Sequence, residues 1–180
     1  TCKFLDGRRY GDACNDPVIL VCGSSLRETK VMRAALDVAT GLCKHFEGLF
    51  LKPYLCPAGV PTIGYGTVWK PDGSKVTMQD APISKEAAES LLNSQLQRDC
   101  LPAAVRYTPG LINEPAALGA VTDFIYNLGA SRYKASTLRR RLNAKEWDEA
   151  QYEIRRWTRA GGKVLRGLQL RRLAEAEYLP

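Results

Sequence analysis

The apolar positions of this chain recur mostly at helical spacing. Val31, Ala35, Leu36, Ala39, Leu42 and Phe46 share one face of a helix. A capping box, Ser25-x-x-Glu28, opens that helix and Gly48 stops it, with Lys44 and His45 in the last turn where positive charge suits the dipole. Pro53, Pro57 and Pro61 then forbid a helix, so the chain must turn back. Thr62 to Trp69 and Lys75 to Thr77 predict a hairpin around Pro71-Asp72-Gly73. Ser84 caps a second helix running to Cys100, and residues 101–112, with Pro102, Pro109 and Gly110, predict a connector. Asn113 as cap and Pro115 in the first turn begin a helix that is apolar on most sides, from Ala116 to Leu128, which predicts a buried central helix ending at Gly129. Shorter helices fit 136–143, 146–158 and 166–178, broken at Gly161-Gly162, with Trp147 and Trp157 in the core. The pattern is α+β: mostly helical, with a small antiparallel hairpin or sheet lining a cleft. One domain spans 25–180, and residues 1–24, holding Cys2, Cys14 and Cys22, read as an irregular extension tied down by disulfides.

A chain of 180 residues can bury one core, and 45% hydrophobic with 25% charged residues places it among globular proteins. The longest apolar run, Pro17 to Cys22, falls far short of the roughly 18 residues a membrane span needs. Lys and Arg number 26 against 19 acids, with the excess concentrated between Arg132 and Arg172. Such a field suits a polyanion: nucleic acid, anionic lipid or a bacterial cell wall. Any one Arg there reads as part of a solvated helix face. The six cysteines lack the paired spacing of a zinc site and favour a disulfide-permitting compartment such as the periplasm.

Three chemically distinct groups converge on the turn after the first helix: the Glu47 carboxyl, the Cys56 sulfur and the Thr62 hydroxyl. The order Glu-Gly, Tyr54, Cys56, then Thr62-Ile-Gly-Tyr-Gly66 resembles the catalytic pattern of the phage-type lysozymes, the muramidases used as endolysins. Their triad of Glu, Asp or Cys, and Thr matches Glu47, Cys56 and Thr62. Two further blocks are similar to the same family: Val121-Thr-Asp-Phe-Ile-Tyr-Asn-Leu-Gly129 with Ser136-Thr137-Leu138, and Arg156-Trp157, Gly161-Gly162-Lys163, Gly167-Leu168 and Arg171-Arg172. The resemblance spans residues 25–178.

The resemblance implies a lysozyme-like fold and hydrolysis of the β-1,4 bond between N-acetylmuramic acid and N-acetylglucosamine in peptidoglycan, leading to host cell lysis. It implies a monomer acting at the periplasmic wall of a bacterial host, with no cofactor, metal or nucleic acid. Glu47 would be the general acid, kept protonated by an apolar surround from Phe46, Leu49 and Phe50. Cys56 stands where many relatives carry Asp. A neutral thiol is a poor stand-in for a carboxylate, so the site must favour the thiolate or the thiol must act otherwise. Some cysteine-bearing relatives are caged through a disulfide at this position and released by thiol exchange, and Cys43, one helical turn before Glu47, is the nearest candidate partner. Thr62 would hold the attacking water or a substrate oxygen, and the family is generally taken to invert the anomeric centre. Tyr126, Asn127 and Thr137 align with cleft-lining, substrate-binding positions. The family commonly carries His after its Gly-Tyr-Gly, and Thr67 stands here instead. Two other readings compete: a thiol amidase or peptidase built on His45 and Cys56, and a non-catalytic wall- or nucleic-acid-binding protein using the basic C-terminal region.

Overall fold

The computed structural model describes residues 26–56 and 58–180. The extension read over 1–24 and the Ser25 cap lie outside the described residues. Helix α1 (Leu26–Glu47) ends where Gly48 turns to φ +69, a conformation that leaves the helix without a Cβ penalty. Strand β1 (Phe50–Leu55) pairs antiparallel with β2 (Pro61–Gly64), opposing Tyr54 to Thr62. The expected hairpin was placed later than this pairing. Its predicted strands meet only at the Trp69–Lys75 bridge, while β1 forms across the proline-containing segment where the sequence predicts the chain to turn back. Pro53 is tolerated because this two-stranded sheet consists of edges and the pairing is irregular between Phe50 and Tyr54.

The Ser84 hydroxyl accepts the Ala87 N–H at 3.1 Å and starts α2 (Lys85–Gln95), as its sequence predicts. A π turn over Leu96–Cys100 then carries the chain into α3 (Leu101–Tyr107). That helix occupies what reads as a connector. Pro102 sits in its first turn, where a missing N–H costs nothing. A 3-10 turn, Pro109–Asn113, leads into α4 (Pro115–Leu128), whose flanking residue is Glu114 rather than Asn113. From Ala117 to Asn127 every residue of α4 is buried, so the helix is central, and Gly129 at φ +93 closes it.

Helices α5 (Ala130–Ala135), α6 (Thr137–Ala144) and α7 (Trp147–Arg155) follow, then a two-residue ladder of β3 (Arg159–Ala160) and β4 (Lys163–Val164), and finally α8 (Arg166–Ala176). Gly161 and Gly162 both take positive φ, so the expected break is a tight hairpin turn. Trp147 and Trp157 pack against the core, as expected. Helix α1 lies along α4, and α8 touches both, so the C-terminal end of α1 is held between the small sheet and the helical lobe. Gly119 permits that approach: a Cβ there would stand 2.6 Å from the Ala35 carbonyl. Among the described residues no helix is long and apolar enough to cross a membrane.

Candidate active site

Glu47 is the last residue of α1, and its side chain is only 5% exposed. The expected apolar surround is not what buries it, because Leu49 and Phe50 are exposed. A cation covers it instead: Nη1 of Arg171 donates to Oε1 at 2.6 Å. A Cβ at Gly66 would lie 3.6 Å from Oε2 and 3.7 Å from the Tyr126 hydroxyl, so the turn after β2 closes against the carboxyl. Gly66 adopts φ +98, which fits glycine best.

Arg171 is itself enclosed. Its Nε and Nη2 donate to both oxygens of Asp123, at 2.9 and 2.6 Å. The Cys43 thiol donates to Asp123 Oδ1 at 3.0 Å. Burial opposes an ionised Asp123, yet the Arg171 charge and hydrogen bonds hold its carboxyl below the ordinary value. The same carboxylate and Glu47 push Arg171 up against the opposing effect of burial. Glu175 goes the other way: full burial raises it well above its ordinary value despite Arg172 beside it. Burial likewise raises the Cys43 thiol, and Cys43 is free, so the candidate Cys43–Cys56 pairing does not form.

Cys56 and Thr62 flank the β1–β2 turn and are both buried. One carbonyl links them: Val60 O accepts the Cys56 N–H at 3.0 Å and the Thr62 hydroxyl at 2.9 Å. Tyr126 lies near the acid as a buried residue. Its hydroxyl donates to the Tyr65 carbonyl at 2.7 Å and its ring is enclosed, so it offers no stacking platform. Asn127 is also buried, its Oδ1 accepting from Arg172 at 3.3 Å. Thr137 opens α6, partly exposed, and accepts from Arg140 at 2.9 Å. Thr67 is buried and pairs with Ile63 through the backbone, and its hydroxyl has no partner among the described residues. His45 is exposed, its ring edge-on to Phe46.

Sequence reasoning misses that Arg171, Asp123 and Glu175 are enclosed behind the acid, although a signal is present. Leu168, Arg171, Arg172, Glu175 and Ala176 fall at helical spacing on one face, and all are buried. Charges on a face that should be apolar mark an internal ion cluster. Two arginines counted in the basic surplus are therefore inside the protein, not on a solvated face.

An acid at the end of one helix, closed over by a small sheet and tied to a second helix, fits the lysozyme-type glycoside hydrolases. The sequence profile described as "Phage lysozyme" matches residues 44–175, and the chain belongs to the phage lysozyme family. It is 34% identical over 165 residues to the SAR-endolysin of Bacteriophage PS34, covering 91% of each sequence. Its fold is similar to an endolysin from Escherichia coli O157:H7 phage FAHEc1, with a TM-score of 0.61 and 29% identity over 82% of this chain and 91% of that one. It is equally similar to the muramidase domain of SpmX from Asticaccaulis excentricus, at a TM-score of 0.61 and 27% identity, covering 78% of this chain and 92% of that domain. The protein is a muramidase, and the thiol-amidase and binding-only readings give way to it.

Proposed function

We propose that the chain is an endolysin acting at the host periplasmic wall, and that Glu47 protonates the oxygen of the β-1,4 bond between N-acetylmuramic acid and N-acetylglucosamine. Water attacks the anomeric carbon from the opposite face, with inversion. The observation that carries this reading is the enclosed carboxyl itself, with Oε1 on Arg171 and Oε2 against the turn at Gly66.

Thr62 takes the water-holding role. Its proton is committed to Val60 O, so the hydroxyl meets a water as acceptor. A water donating to it keeps a lone pair for attack. Cys56 receives the proton that water releases. On this reading its sulfur is capped in a disulfide whose other half is not Cys43. Turnover then requires reduction, and the freed sulfur takes the proton in its thiolate form. Thr137 contributes a polar contact to the polymer, and Tyr126 and Asn127 shape the wall behind the acid.

Purified peptidoglycan incubated with the protein, before and after mild reduction, tests the reading. Reducing sugar ends are expected after reduction. Release of amines without reducing ends would replace the muramidase with an amidase or peptidase.

A further inference from the structure

The acid does not face a bare cation. Three carboxyls, Glu47, Asp123 and Glu175, and two guanidiniums, Arg171 and Arg172, are packed where α1, α4 and α8 meet, with side chains between 0% and 5% exposed. Arg171 reaches Glu47 with one nitrogen and spends the other two on Asp123, at 2.6 and 2.9 Å. The forked contact fixes the plane of the guanidinium, and so fixes where Nη1 points.

From this geometry we infer that Asp123 is a positioning residue for the acid, acting through Arg171: it aims the guanidinium at Glu47 and offsets its charge beside the carboxyl. The inference rests on Glu47 being the general acid. Without Asp123, Glu47 would sit against an unshielded Arg171, and a buried cation at hydrogen-bond distance strongly favours the carboxylate form, which cannot protonate a leaving group. Charge arithmetic supports the need for an offset. Burial pushes Glu175 up, whereas the Arg171 charge and hydrogen bonds hold Asp123 down, so of these two carboxyls Asp123 is the one suited to offset the arginines.

The other titratable groups around Glu47 do not replace it. From α1 comes Cys43, from β1 Tyr54 and from α4 Tyr126, all pushed upward by burial and thus neutral. From α8 come Arg171 and Arg172, both cations, and Glu175. Phe46 lies under the Arg171 guanidinium at 5.7 Å and adds no charge.

The test is the pH dependence of peptidoglycan hydrolysis by the reduced protein, compared with Asp123→Asn and Glu175→Gln. Asp123→Asn should move the alkaline limb of the profile downward by about one pH unit, the effect of exposing one partly screened unit charge. Glu175→Gln should leave that limb in place, because it swaps one neutral group for another. Asp123→Ser supplies a second neutral side chain should the Asn variant fail to fold, and circular dichroism shows which variants are native. A folded Asp123 variant whose alkaline limb stays at the parental pH overturns the inference, as does a limb that moves equally in Glu175→Gln. If the parent itself releases no reducing ends, the muramidase reading fails instead, so the two failures are told apart.

Discussion

The Glu47 carboxyl and the Arg171 guanidinium, 124 residues apart in the chain, meet at 2.6 Å with side chains 5% and 1% exposed. A buried ion pair is a poor source of stability, because the desolvation of both charges offsets their attraction. Its value here is geometric. It joins the end of α1 to α8 and leaves Oε2 of Glu47 as the oxygen turned toward the small sheet.

Replacing Glu47 by Gln tests the acid directly. The amide still accepts one hydrogen bond from Arg171 but has no proton of suitable acidity to give. Reducing-end release should fall by roughly 10²- to 10⁴-fold, the usual share of general acid catalysis. Sedimentation with purified walls should show binding intact. A variant that turns over like the parent would remove Glu47 from the mechanism.

Arg171→Met should damage stability more than chemistry alone predicts. It strands Asp123, which is fully buried and takes two of its hydrogen bonds from Arg171. Leaving one member of a buried pair uncompensated costs about 3–5 kcal/mol. Urea unfolding monitored by circular dichroism reads the loss. A cost near zero would show that Asp123 finds another partner or takes up a proton freely.

Much of this fold was legible in the sequence because long helices announce themselves. The all-apolar run of α4, the face Ala35, Ala39 and Leu42 of α1, and the Ser84 cap of α2 each carry a local signal that the tertiary structure respects. The motif groups Glu47, Cys56 and Thr62, and the structure brings Cys56 and Thr62 onto the one Val60 carbonyl. What failed did so for physical reasons. Pro53 hides β1 because proline is a strand breaker everywhere except at an edge. Pro102 hides α3 because the preceding π turn lets the helical path continue through it. Arg171 and Arg172 carry the signature of a solvated face, and only the three-dimensional meeting of α1, α4 and α8 reveals that they are enclosed.

Gly66→Ala should lose activity out of proportion to stability. The residue holds φ +98, so any side chain is strained by about 1–2 kcal/mol. The added methyl would also lie 3.6 Å from Glu47 Oε2 and 3.7 Å from the Tyr126 hydroxyl, against the carboxyl oxygen that Arg171 does not hold. Thermal melting measures the first effect and the rate of reducing-end release the second. Equal, modest losses in both would mean the methyl is accommodated away from the acid.

Glu175 should make stability depend on pH in an unusual direction for a carboxyl. Its folded-state value is raised by burial, so the native protein holds this proton more tightly than the unfolded chain. The stabilisation it brings is complete below about pH 4.3, the ordinary glutamate value, and is lost as pH rises toward the folded value. Asp123 has the opposite sign: its contribution is present above about pH 3.9 and is lost as pH falls through its lowered folded value. Urea-unfolding free energies measured from pH 3 to 8 should therefore decline less with rising pH in Glu175→Gln than in the parent. Parallel curves would place the proton elsewhere in the cluster.

Cys56→Asp separates the chemistry of the sulfur from its redox state. A carboxylate at this position is ionised at neutral pH without help and cannot form a disulfide. The Cys56 backbone is fixed by its N–H to Val60 O at 3.0 Å and by its carbonyl, which accepts from Gly59 N–H at 2.7 Å. Neither bond involves the side chain, so the substitution should leave the turn in place and keep Thr62 on the same Val60 carbonyl. The variant should hydrolyse peptidoglycan equally well with and without reductant, whereas the parent should need reduction. Cys56→Ala should remain slow under both conditions, since it frees the turn from the disulfide but supplies no base. If the alanine variant matched the aspartate variant, the sulfur would have only a blocking role and Thr62 alone would orient the water.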